Sequence, residues 1–199
     1  MARGLLLILV IPAAILMQVG SAEAAASPTR PAPEPMILQE GDGDHLVRRI
    51  GPTKDWPYAI KLDGQTAGTE DLVVMTEVMA PGQSIPFHKH DNAEEILYLE
   101  EGGATVMVGS KWAVAGPRSI VFIPRDTWIS ATNTGASSIH LVAVWSRHGF
   151  EQYMRAISAR QGDPTTPLNA DELPKLRAMG HAMYWDPSKG PYPPGVAHP

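Results

Sequence analysis

The stretch from Pro81 to Gly102, PGQSIPFHKHDNAEEILYLEEG, constrains the fold more than any other part of the chain. His88 and His90 stand two residues apart, and in a β-strand that spacing puts both imidazoles on one face. Asp91, Asn92 and Ala93 read as a turn, because Asp and Asn side chains hydrogen-bond to their own backbone. Glu94-Glu95-Ile96-Leu97-Tyr98-Leu99 then reads as an apolar-rich return strand. An antiparallel return sets one of the two carboxylates opposite the histidines. Two neutral imidazoles and a carboxylate converging on one point make a divalent-metal site.

Short strands surround this stretch at even spacing. Residues 72–79, 86–90 and 95–100 read as strands, and 104–108 and 111–114 as a hairpin around Gly109-Ser110. Residues 119–123 read as a buried strand ending at Pro124, and 130–133 and 138–145 as a pair split by Thr134-Gly135-Ala136. This pattern predicts an all-β sandwich or barrel. Upstream, Val47, Ile50, Trp56, Tyr58 and Ile60 are the expected packing residues of an N-terminal arm. Past His148, Phe150, Tyr153, Met154 and Ile157 recur at helical spacing, which predicts an amphipathic helix on the outside of the β-structure. A second helix is predicted over residues 174–183, capped by Asp171 with Pro174 in its first turn. His181 and His198 fall outside the β-structure and read as solvated.

The chain of 199 residues is long enough for one domain with a real core. A formal net charge of -5 and the lack of a long basic run give no reason to expect nucleic acid or an anionic membrane surface as partners. Residues 1–26 read as a signal peptide. Arg3 gives a positive start, residues 4–17 are almost wholly apolar, and Ala22-Glu23-Ala24 and Ala24-Ala25-Ala26 fit a small-x-small cleavage rule. The apolar run is short for a membrane span, so no stable membrane insertion is expected after cleavage; a retained N-terminal anchor is the other reading. A secreted or periplasmic protein with Cys 0 has no disulfides and relies on its core. Residues 27–45 open on SPTRPAPEP and read as an extended Pro-rich linker. The β-domain is expected over 46–148, with helices and a Pro-rich tail over 149–199.

Gly82, His88, His90, Glu95 and Gly102 resemble the first motif of the cupin family at every position: Gly, five residues, His-x-His, three or four residues, Glu, six residues, Gly. Counting back from Gly102 selects Glu95 over Glu94. The resemblance implies a small antiparallel jelly-roll β-barrel with a short C-terminal helical appendage. It also implies a divalent metal ion, Fe, Mn, Zn, Ni or Cu, on His88, His90 and Glu95. The family's second motif runs Gly, five to seven residues, Pro-x-Gly, two residues, His, three residues, Asn. It aligns here on Gly116, Pro124 and Asn133. Asp126 replaces the second Gly, which Asp tolerates by entering left-handed turns. Ile129 stands where the fourth ligand, a His, is expected, and isoleucine donates no electron pair. Trp128, Ile129 and Asn133 are the candidate pocket residues, with Phe87 beside them, while Phe122 reads as core.

Three readings stay open. Two histidines and one carboxylate form the ligand set of non-haem Fe(II) oxygenases, with further positions free for water or substrate. With too little metal affinity, the barrel is instead an apolar pocket that binds a small molecule without chemistry. In the third reading a histidine elsewhere supplies the missing ligand, and His140 is the candidate on a strand. Cupins include dioxygenases, decarboxylases, isomerases, lyases, sugar-binding modules and storage proteins, and the fold does not choose among them. No Ser-His-Asp arrangement, phosphate loop or cofactor fingerprint is found, so no catalytic residue is assigned. A small-molecule ligand or substrate is the expected partner, and a homodimer is compatible with the chain.

Overall fold

The computed structural model describes residues 33–50, 55–69 and 71–196. The signal-peptide segment, the start of the linker and His198 lie outside the described residues. In chain order the strands are β1 (Asp44–Arg48), β2 (Pro57–Leu62), β3 (Val73–Met79), β4 (Ser84–His90), β5 (Glu95–Glu101), β6 (Ala104–Val108), β7 (Lys111–Ala115), β8 (Ile120–Ile123), β9 (Ile129–Thr132) and β10 (Ile139–Trp145). Helix α1 (Phe150–Ala156), β11 (Ser158–Arg160), helix α2 (Leu173–Met179) and β12 (Ala182–Tyr184) follow.

These strands form two antiparallel sheets, ordered β11-β1-β2-β3-β10-β5-β8 and β12-β4-β9-β6-β7. The two-residue alternation of each strand explains why. Val73, Met75 and Met79 of β3, Leu97 and Leu99 of β5, and Ile139, Leu141 and Trp145 of β10 all turn inward from the larger sheet. Val106, Ile129 and Ala131 of the smaller sheet join them in one core. Each fully buried aliphatic side chain of this kind contributes roughly 1.5–3 kcal/mol. At Gly102 the backbone has φ 74, and a Cβ would lie 2.9 Å from the Ser138 carbonyl oxygen, so a side chain there would strain the turn after β5.

The sheets are not closed into a barrel. Among the described residues no ladder joins β8 or β11 to the second sheet, and the shared apolar core is enclosed by face-to-face packing instead. Nor is the strand at 120–123 buried. β8 is the edge strand beside β5, Ile120 is 68% exposed and Phe122 54% exposed, so Phe122 is not a core residue. In β1 the inward parity falls on Leu46 and Arg48, and the expected Val47 is only partly buried. Trp56, Tyr58 and Ile60 are buried.

The C-terminal segment belongs to the sheets and is not an outside appendage. Phe150, Tyr153, Met154 and Ile157 are buried, as their spacing predicts. Arg155 fastens α1 to the start of β1, donating to Asp44 Oδ2 at 2.6 Å and to Asp63. β11 then pairs with β1. The second helix is shorter than expected, because the chain turns at Gly180, where a Cβ would collide with Tyr153. Residues 182–184 are therefore strand, and β12 runs beside β4 with Ala182 opposite His90 and Tyr184 opposite His88. Asp171 does not cap α2: the N-cap position is Glu172, with no side-chain cap, and Asp171 lies in a short 3-10 turn at residues 170–172 whose own cap, Asn169, accepts from the Asp171 amide at 3.0 Å.

Candidate metal centre

β4 carries His88 and His90 on its inner face, and the turn after it delivers Glu95. That turn is pinned from outside. Asn92 Nδ2 donates to the His148 carbonyl at 2.9 Å, and the Glu94 amide donates to Ser146 Oγ at 3.0 Å. The fastened turn starts β5 with Glu95 inward and Glu94 exposed. One ligand atom from each of His88, His90 and Glu95 lies within 4.8 Å of the others, and His90 Nε2 is 3.7 Å from Glu95 Oε2. Exposure is 4% at His88, 3% at His90 and 3% at Glu95.

The hydrogen bonds leave this trio ready for an ion. His88 Nδ1 donates to the Pro86 carbonyl at 2.8 Å, which fixes the ring and leaves its Nε2 lone pair free. Neither ring nitrogen of His90 has a hydrogen-bond partner, and neither has Glu95 Oε2. Buried polar atoms normally find partners, so these orphaned donor atoms fit metal ligation. Burial lowers the His88 pKa to about 4 and pushes that of His90 well below the ordinary imidazole value, helped by the neighbouring His88. Both rings are therefore neutral at pH 7, the form that ligates. Burial raises the Glu95 pKa to about 8, with the nearby Glu77 charge adding to the shift. A bound cation would reverse that shift by favouring the carboxylate.

The second-motif residues serve four different ends. Ile129 lies directly opposite His88 in the β4–β9 ladder and is 0% exposed, so it shares the inner face and offers no ligand atom. Asn133 is buried, but its Nδ2 donates to the Met79 and Ser137 carbonyls at 2.8 and 2.9 Å and so holds the loop after β9. Trp128 packs edge-on against Trp185, with ring centroids 6.1 Å apart, and lies beneath the Lys89 ammonium. Asp126 has φ 57, the left-handed turn its side chain tolerates, and its amide donates to the His90 carbonyl at 2.8 Å. His140 is exposed on β10 opposite Val78 and does not join the trio. Phe87 alternates with His88 along β4 and packs against Trp112 and Tyr192. His181 is exposed, with its Nδ1 2.8 Å from Asp91 Oδ1.

Beside the trio is a cavity of about 280 Å³ that His88 and Glu95 help to line. Its walls include residues absent from the sequence-level site. Phe150 packs edge-on against His90 with centroids 4.5 Å apart, and Tyr184 stacks on His88 at 5.5 Å. At another part of the wall, Arg48 Nη2 donates to Glu77 Oε2 at 2.7 Å, both side chains being buried. One signal for Glu77 was available. It shares the inward parity of Val73, Met75 and Met79, and a carboxylate at such a position needs a partner. Tyr184 carries no such signal, since it lies just past the helix expected over 174–183 and its pairing with β4 is a long-range contact.

Residues 75–145 match the family described as Cupin domain. The two-sheet fold agrees with solved structures. A predicted oxalate decarboxylase from Thermotoga maritima has 20% identity and a TM-score of 0.50, covering 56% of this chain and 99% of that one. The polyketide cyclase RemF from Streptomyces resistomycificus has 18% identity and a TM-score of 0.50, covering 70% of this chain and 91% of that one. At these identities the likeness concerns fold alone. No curated protein matches the chain.

Proposed function

We propose that the cupin domain holds one divalent metal ion on His88, His90 and Glu95 and acts there on a small molecule seated in the adjoining cavity. The observation that carries this reading is the set of buried, unpartnered ligand atoms on His90 and Glu95, gathered with His88 within 4.8 Å. When bound, the ion supplies Lewis-acid chemistry that can activate water or dioxygen or polarise a carbonyl. The chain's own residues do the rest. His88 is oriented through Pro86, Ile129 keeps a fourth protein ligand away, and Phe150 and Tyr184 shield the imidazoles from water. A ligand set of two histidines and one carboxylate with open positions suits a metal-dependent oxygenase. A non-catalytic small-molecule binder is the second reading, favoured by the mainly apolar cavity wall. Titrating metal-free protein with Fe(II), Mn(II) and Zn(II) tests the proposal: one equivalent should bind, and failure of all three metals to bind would favour the second reading.

Residues 1–26 support a separate proposal, export to the periplasm or medium. The mature chain should begin at Ala25 or Ser27. N-terminal sequencing of accumulated protein that returned Met1 would contradict it.

A further inference from the structure

The outer face of the larger sheet is apolar across β8, β5, β10 and β3. The strand registers set its side chains in rows. Phe122 of β8 lies beside Ile96 of β5, followed by Val144 of β10 and Val74 of β3. The next row runs Ile120, Tyr98, Val142 and Thr76. These positions alternate with the inward-facing residues of the same strands, so they point away from the core. Val78 at 43% and Ile96 at 39% exposure join the more exposed Ile120 and Phe122. Those four residues leave roughly 400 Å² of apolar surface in water, and the half-buried members of the rows raise it to about 500 Å², a patch of the size that marks an interaction site.

The face, and not the sheet edge, is what needs covering. β8 has four residues between Pro117 and Pro124, which blunt it against strand addition. A strand added beside it would also leave Ile120 and Phe122 in water, because they stand perpendicular to the sheet. Exposed charges of both signs flank these strands: Glu100 and Glu101 at the end of β5, and Arg118 and Arg125 before and after β8. Mixed flanking charge suits a second copy of the same surface, whereas an anionic bilayer calls for a basic border. The size agrees as well. A standard interface buries about 800 Å² per partner, about 65% of it apolar in homodimers, so a stable pair needs about 500 Å² of apolar surface from each copy.

We propose that two copies of this chain pack through the outer faces of their larger sheets, related by a two-fold axis. Sheets of like twist pack face to face about 10 Å apart with their strands about 30° out of line, which lays the apolar rows of one copy on those of the other. The trio and its cavity are lined by inward-facing residues, so the pairing leaves both as they are in the single chain.

Sedimentation velocity of the purified protein, run over about 1–100 μM, should give twice the mass of one chain at the upper end of the range. Phe122→Glu puts a carboxylate into the paired face and should raise the dimer dissociation constant by at least about thirtyfold. Ile120→Glu should do the same, and it supplies the reading if the first variant does not fold. Val114→Glu is the control. Val114 is 77% exposed on β7 of the other sheet, so this variant should stay dimeric. A wild type that remains monomeric over the whole range would overturn the proposal and leave the face to a different partner. So would a dimer that survives in the folded Phe122→Glu or Ile120→Glu protein, or one that Val114→Glu takes apart.

Discussion

The metal trio and the Arg48–Glu77 pair line the same cavity, but the chain builds them in opposite ways. His88, His90 and Glu95 come from one strand, a four-residue turn and the first residue of the next strand. Arg48 and Glu77 are 29 residues apart and are joined only when the larger sheet places β1, β2 and β3 side by side. The trio is thus a local construction that leaves buried atoms of His90 and Glu95 without hydrogen-bond partners. The pair is a long-range construction that already satisfies half of itself. Breaking the first should affect binding, and breaking the second should affect the fold.

The largest effect expected is at the pair. Arg48→Ala strands the Glu77 carboxylate in the interior and should destabilise the protein by about 3–5 kcal/mol in chemical denaturation. A loss under about 1 kcal/mol would mean that water reaches Glu77 and that the pair is not a closed element of the core.

Beside the trio, Ile129→His places an imidazole opposite His88 and should tighten Zn(II) binding by about tenfold or more, with a modest loss of thermal stability as a polar ring replaces an apolar aliphatic side chain. Unchanged affinity would show that a side chain at 129 does not reach the ion. Proton linkage gives a smaller, graded effect. Glu95 holds its proton up to about pH 8, whereas His88 is neutral well above its lowered pKa of about 4. Between pH 6.5 and 8 an incoming ion therefore displaces one proton, from Glu95. Affinity should rise about tenfold per pH unit in this window and level off above it. Titrations in Glu95→Gln should lose that slope; if they keep it, another group releases the proton.

The same contrast explains what could be read from the chain alone. The β4–β5 ligand spacing, the hairpin at Gly109-Ser110 and the inward face of α1 are short-range patterns, and the structure has each of them. The left-handed Asp126 was legible for the same reason. Phe122 was misjudged because hydrophobicity does not say which strand lies at a sheet edge. The helix expected over 174–183 stops at Met179 because Gly180, pressed against Tyr153, ends it through a tertiary contact. Arg48 escaped notice because its partner lies two strands away.

The central claim is that both imidazoles and Glu95 hold one ion together. X-ray absorption spectroscopy of the zinc-loaded protein tests this directly, because imidazole rings leave a distinctive outer-shell scattering pattern. The wild type should show two imidazoles on the zinc. His90→Ala should show one, with affinity lower by about a hundredfold, since a ligand lost from a set of three weakens binding at least as much as a lost outer-shell contact. A spectrum unchanged in His90→Ala, at unchanged affinity, would contradict the account.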